Sequence, residues 1–119
     1  MKIKLAATIF EALSSDIRLD IFRLLAKHAT SGLVAGDISR ALNIPASNLS
    51  FHLKALTGAE LAIMKKEGRF LRYRANIPLL QEIRAFLTIE CCLDAEEKIE
   101  KPRTIEGSTP VVQPKRRVW

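Results

Sequence analysis

Cys91 and Cys92 carry the softest chemistry in this chain, and no other cysteine accompanies them. Thiolates select soft, thiophilic centres over hard ones, so a neighbouring pair can chelate one such atom where the backbone relaxes. Two adjacent cysteines make no disulfide framework, and a bond between neighbours is strained. In a reducing compartment both stay thiols. Glu90, Asp94, Glu96 and Glu97 crowd the pair with negative charge. Such neighbours disfavour the thiolate, so an activated catalytic nucleophile is not indicated. Two other readings stand beside chelation: Cys91 as a small hydrophobe in a packed helix, and a redox sensor.

The second group with evident chemistry is cationic. Lys65, Lys66, Arg69, Arg72 and Arg74 put five cations into ten residues against the single acid Glu67. A solvated surface seldom gathers charge of one sign so densely unless a polyanion is near. A third group is small and polar: Ser47, Asn48, Ser50, His52 and Lys54. Asn can pair with adenine, Ser can serve base or phosphate, and His can donate to a phosphate. Taken alone, these residues also suit an ordinary solvated helix face.

The elements that must position these groups can be read from hydrophobic spacing. Leu5, Ile9, Ala12 and Leu13 fall at helical intervals, and Ser14-Ser15-Asp16 offers a capped restart. A second helix runs to about Lys27 with Ile17, Ile21, Leu24 and Leu25 as its apolar stripe. After the break at Thr30-Ser31-Gly32, a short helix over 33–41 turns Ile38 and Leu42 inward. Asn43-Ile44-Pro45 then leads to a helix over 46–57, with Pro45 in its first turn, Leu49, Leu53 and Leu56 buried, and a stop at Gly58. Two helices joined by a three-residue turn are a helix-turn-helix candidate. Residues 61–66 and 69–74 around a Glu67-Gly68 turn read as a β-hairpin. Asn76-Ile77-Pro78 opens a last helix with Leu79, Leu80, Ile83, Phe86, Leu87 and Cys91 on one face. The fold class is therefore mainly α with a β-hairpin wing, in the order α-α-α-α-β-β-α. Residues 1–93 form the winged-helix unit. Residues 94–119, with Pro102, Pro110 and Pro114, are expected to be a disordered tail, in which Lys115-Arg116-Arg117 is a solvated basic run.

Bulk properties agree with an anionic partner. The 119 residues suit one domain, and their net charge of +6 favours phosphates, whose condensed counterions are released on binding. No apolar run reaches the length of a bilayer span, and the start of the chain lacks a signal-peptide pattern, which predicts a cytoplasmic protein with no membrane partner. An enzyme is disfavoured. There is no nucleophile with a matching His and acid, no Gly-rich phosphate loop and no multi-histidine cluster.

The run from Ala12 to Leu25, Ala-Leu-Ser-Ser-Asp-Ile-Arg-Leu-Asp-Ile-Phe-Arg-Leu-Leu, resembles the second-helix signature of the ArsR/SmtB family of metalloregulatory repressors. Residues 47–54, Ser-Asn-Leu-Ser-Phe-His-Leu-Lys, resemble the recognition helix of that family, and residues 68–74, Gly-Arg-Phe-Leu-Arg-Tyr-Arg, its wing. The likeness covers roughly residues 5–93. It implies a homodimer paired through its first and last helices, bound to a palindromic operator until an inducer arrives.

The resemblance also frames the inducer. Many arsenic-sensing members carry a cysteine pair at the start of the third helix, where this chain has Val34 and Gly36. Zinc-sensing members place Asp and His on the last helix, whereas the histidines here are His28 and His52. Other arsenite-sensing members have a Cys-Cys pair where Cys91 and Cys92 stand, with a third cysteine at the position of Lys98. Arsenite takes three thiolates, while a methylated trivalent arsenical already has an As–C bond and takes two. The resemblance therefore implies a trivalent arsenic inducer on Cys91 and Cys92. An organoarsenical leads, and arsenite or antimonite with an outside third ligand is the alternative. No catalytic cofactor is implied. A regulator answering to redox state, or bound constitutively with structural cysteines, stays open.

Overall fold

The computed structural model describes residues 1–94, and two of its five described helices begin at a residue whose side chain accepts from a first-turn backbone amide. Helix α1 spans Ile3–Ala12 and α2 spans Asp16–Lys27. The restart between them is held by Ser15, whose Oγ accepts from the Arg18 amide at 3.3 Å. Strand β1, Leu33–Val34, precedes α3, Ala35–Leu42; α4 follows at Ala46–Gly58. Strands β2, Ala62–Glu67, and β3, Phe70–Ala75, make the hairpin, and α5 covers Ile77–Thr88. Asn76 caps α5 by accepting from the Leu79 amide at 3.3 Å. The expected winged helix-turn-helix plan is present, with one strand more than the sequence suggested.

The core of the unit Met1–Ile89 gathers one stripe from each helix. Ile9, Ile21, Leu25, Ile38, Leu49, Leu53, Leu56 and Leu61 are its largest fully buried side chains. At about 1.5–3 kcal/mol for each fully buried large apolar side chain, this cluster is the main stabilising term for the helices that carry the polar groups. The stripe of α2 differs from expectation: Ile21, Phe22 and Leu25 are buried, Leu24 is half-buried, and Ile17 faces outward. On α1 it is Ala6, Ile9 and Ala12 that pack inward, and Leu5 is exposed.

The sheet order is β1-β3-β2, antiparallel throughout. Leu33 and Val34, expected inside the third helix, pair instead with Tyr73 and Arg72. The helix cannot begin before Ala35, because its preceding residues are already extended against β3. Gly32 makes that approach possible: its φ is +70°, and a Cβ there would lie 2.8 Å from the Tyr73 carbonyl oxygen.

Three further boundaries shift. Pro45 is the N-cap of α4 rather than a first-turn residue. Gly58 is the last residue of α4 rather than a stop beyond it, and Glu60 takes the left-handed φ of +63°. The hairpin turn is Gly68-Arg69, closed by the pair Glu67 and Phe70. With φ positive at Gly68 but not at Arg69, it has the pattern of a type II′ turn.

The chain divides after Ile89, and of the second unit, Glu90–Trp119, residues 90–94 are described. The predicted tail beyond them, with Lys98 and Lys115-Arg116-Arg117, lies outside the described residues. Among those residues no helix is long and apolar enough to cross a membrane.

Candidate functional site

The turn before α4 fixes the direction of the helix that carries Ser47, Asn48, Ser50, His52 and Lys54. Asn43 ends α3 in the left-handed conformation, with φ of 54°. Ser39 then ties the turn twice, its carbonyl accepting from the Ile44 amide at 3.1 Å and its Oγ donating to the Ile44 carbonyl at 2.6 Å. Pro45, with φ of −58°, launches α4. Its buried residues Leu49, Leu53 and Leu56 lie against the core.

At about 100° of rotation per residue, the opposite side of α4 is centred on Ser47, Phe51 and Lys54, flanked by Asn48 and Ser50. All five are exposed. His52 lies nearer the core side and is half-buried, its Nδ1 3.5 Å from the Arg18 guanidinium. In the tautomer that accepts from Arg18 at Nδ1, Nε2–H is the donor left for an outside acceptor. Arg18 is itself anchored, with Nε donating to the Ala12 carbonyl at 2.6 Å. Phe51 escaped the sequence reading, which sought polar types. Its signal was its position two residues after Leu49 and two before Leu53, opposite the buried stripe.

The five cations of the wing divide into two kinds. Lys65, Lys66 and Arg69 are exposed and, among the described residues, form no salt bridge. Arg72 and Arg74 are half-buried and bind the chain itself. Arg72 Nε donates to Glu67 Oε1 at 2.9 Å, and its Nη1 donates to the Ser31 carbonyl at 3.2 Å. Arg74 Nε donates to the Thr30 carbonyl at 3.3 Å. The hydrogen bond from Arg72, with burial opposing it, holds the Glu67 carboxyl below its ordinary range. These two arginines thus brace the loop before β1 against the wing, a role that depends on carbonyls some forty residues away. Their charge still adds to the wing's positive field.

Cys91 and Cys92 lie in a turn and are both exposed. The expectation that Cys91 extends the apolar stripe of the last helix is corrected, since α5 ends at Thr88. Thr88 Oγ1 donates to the Arg84 carbonyl at 3.2 Å, and the apolar side chain that follows, Ile89, is 73% exposed. A stripe without a wall to pack against gains too little to propagate the helix. Cys92 has φ of 59°, and its Sγ lies 3.2 Å from that of Cys91. The hydrogen bond to Cys91 and residual desolvation push the Cys92 thiol up from its ordinary value. Two neighbouring, accessible sulfurs at this separation could both reach one soft atom. Among the described residues no group of three or more His, Cys, Asp or Glu gathers as a metal site. The donor set fits a centre that asks for two thiolates.

Residues 13–64 match the model of a helix-turn-helix domain family. The chain is 34% identical over 74 residues to the transcriptional repressor SdpR of Bacillus subtilis, covering 62% of this chain and 79% of that protein. Among solved structures, an ArsR-like transcriptional regulator from Rhodococcus sp. RHA1 superposes with a TM-score of 0.66 at 28% identity, over 76% of this chain and 84% of that one. The homodimeric winged helix-turn-helix DNA-binding domain Mb0332 of Mycobacterium bovis shares the fold, with a TM-score of 0.59 at 22% identity, over 82% of this chain and 90% of that one.

Proposed function

The chain belongs to the ArsR-like winged-helix transcription regulators, and from that premise we propose that it is a cytoplasmic homodimeric repressor whose operator is released when a trivalent arsenical binds Cys91 and Cys92. It is a regulator and not an enzyme, as its relatives are. In this reading α4 enters the major groove of a palindromic DNA site with Ser47, Asn48 and Ser50 at base edges or phosphates. Lys54, His52 and the wing residues Lys65, Lys66 and Arg69 engage the backbone. Arg72 and Arg74 add positive charge while holding the wing in shape.

The observation that carries the inducer assignment is the 3.2 Å approach of two exposed sulfurs. Each As–S bond forms as a thiol proton and an arsenic hydroxyl leave together as water. A methylated trivalent arsenical with two hydroxyls consumes both thiols and leaves no open valence. Arsenite and antimonite keep one position for hydroxide or a small thiol. Bridging locks the turn that follows α5 directly in the chain, and Cys91 is three residues past Thr88. The ligand acts on DNA affinity only through unequal affinity for the two dimer states. In the proposed mechanism the locked turn favours the dimer packing whose recognition helices have lost operator spacing.

The test is fluorescence anisotropy on duplex DNA from upstream of the chain's own gene, with arsenite, antimonite, methylarsenite, zinc and a disulfide-forming oxidant titrated in parallel. Methylarsenite is expected to release wild-type protein at the lowest concentration. C91S and C92S proteins are expected to bind the DNA and stay bound. Release by zinc alone, or undiminished release of the serine variants by arsenicals, overturns the inducer assignment. Release by oxidant alone supports the redox alternative.

A further inference from the structure

We infer that Phe51 is a sequence-reading residue, making an apolar contact with the C5-methyl group of a thymine in each half of the operator. The inference rests on the DNA-binding reading and assigns a specificity to a side chain outside the polar set. Phe51 is 68% exposed although it is a large aromatic on a well-packed helix. Isolated exposed apolar residues are ordinary, but this one occupies the centre of the outward face of α4. Ser47 lies one turn before it and Lys54 one turn after, so the ring sits between a small polar group and a cation.

The ring's direction is limited by its neighbour. The His52 ring meets it edge-on, with centroids 5.5 Å apart and an interplanar angle of 73°. His52 is in turn half-buried beside Arg18, so the aromatic pair is referred back to the fold. A partly pre-set ring loses less conformational freedom on docking than a free one.

In the major groove, the apolar feature that distinguishes one base from the others is the thymine methyl group, and Phe is among the side chains that contact it. The polar residues flanking Phe51 can pair with base edges or phosphates but cannot recognise that methyl. Cytosine lacks the group, and a guanine or adenine opposite the ring would leave its apolar surface against polar atoms.

The test uses the full chain and the duplex it selects most strongly from a randomised DNA library. Each thymine of that duplex is replaced in turn by deoxyuridine, which removes the methyl and keeps every base-pairing group. At one symmetry-related position, wild-type affinity is expected to fall about fourfold per half-site, the equivalent of one buried methyl-sized group, and about fifteenfold when both halves carry uracil. Phe51→Ala protein is expected to bind thymine and uracil duplexes equally at that position, while keeping uracil effects elsewhere. Indifference of wild-type protein to every uracil overturns the inference, as does an unchanged uracil penalty in the Ala variant. Neither of those outcomes touches the DNA-binding reading. Failure of wild-type protein to select any duplex overturns both. The uracil series leaves the protein unaltered, so its result does not depend on how the variant folds.

Discussion

Lys65 and Arg72 stand directly opposite one another on the wing, yet they act at different levels. Like charges in that position repel, and the Glu67 carboxylate, diagonal to Arg72, relieves the pair through its 2.9 Å bond. The folded pKa of Glu67 is depressed, so its contribution to wing stability is present above the ordinary carboxylate range and is lost as pH falls through the folded value. Carbon-13 NMR of the Glu67 carboxyl should therefore show titration below that of an ordinary glutamate, and Arg72→Gln should move it up toward the ordinary range, with Lys65 and Arg74 still favouring the carboxylate. A normal titration in wild-type protein would mean the brace does not persist in solution. Lys65 is expected to act on DNA alone. Removing one phosphate contact from each half of a symmetric dimer, Lys65→Ala should flatten the slope of log affinity against log salt by about 1.8, from about 0.9 per phosphate. An unchanged slope would place Lys65 off the backbone. The sequence showed these cations as one equivalent set, because nothing local marks which of them face the carbonyls of Thr30 and Ser31.

Elements whose signals are local were legible, and elements made by distant partners were not. The stripe Leu49, Leu53 and Leu56 repeats at the helical period, so α4 and its outward face could be read directly, and Ser15 and Asn76 announced the starts of α2 and α5. Strand β1 is two residues long and exists because β3 pairs with it. No periodicity can be found in two residues. Cys91 misled for a related reason: the apolar spacing of α5 continues past Thr88, but the core that would reward it does not. Among the described residues, the two left-handed glycines give a graded test of how β1 and the wing are built. Gly68 has φ of +64° and open space around it, so Gly68→Ala meets only the backbone penalty, about 1–2 kcal/mol. Gly32→Ala adds a collision with the Tyr73 carbonyl at 2.8 Å, and backbone cannot step aside as a side-chain tip can. Its cost is expected to be the larger of the two, about 2–3 kcal/mol in chemical denaturation. Equal losses would mean that β1 lies further from β3 than the structure has it.

At the scale of the whole molecule, the apolar surface left uncovered is what asks for a second copy. On α1, Ile3, Ala7 and Phe10 recur at i, i+4 and i+7 and are exposed, Ile3 by 76% and Phe10 by 44%. At the far end of α5, Leu87 is 59% exposed. A helix that has buried Ala6, Ile9 and Ala12 on one side and keeps a second apolar stripe in water is suited to pairing, and these are the two helices proposed to form the dimer. In a two-fold interface every residue appears twice, so a single substitution acts twice. Phe10 is 44% exposed, so an interface can bury at most that share of it, and withdrawing it forfeits about 0.7–1.3 kcal/mol per copy, or about 1.3–2.6 kcal/mol for the dimer, before the cost of burying a charge is counted. Phe10→Glu should therefore weaken dimerisation by at least about tenfold in sedimentation equilibrium while leaving the monomer's helical circular dichroism intact, because Phe10 lies outside the buried core. DNA binding should fall with it, since two half-sites are then no longer held by one particle. An intact dimer in the Phe10→Glu protein would move the interface off α1, and monomeric wild-type protein at micromolar concentration would remove the dimer from the mechanism, along with the route by which a locked turn after α5 reaches the recognition helices.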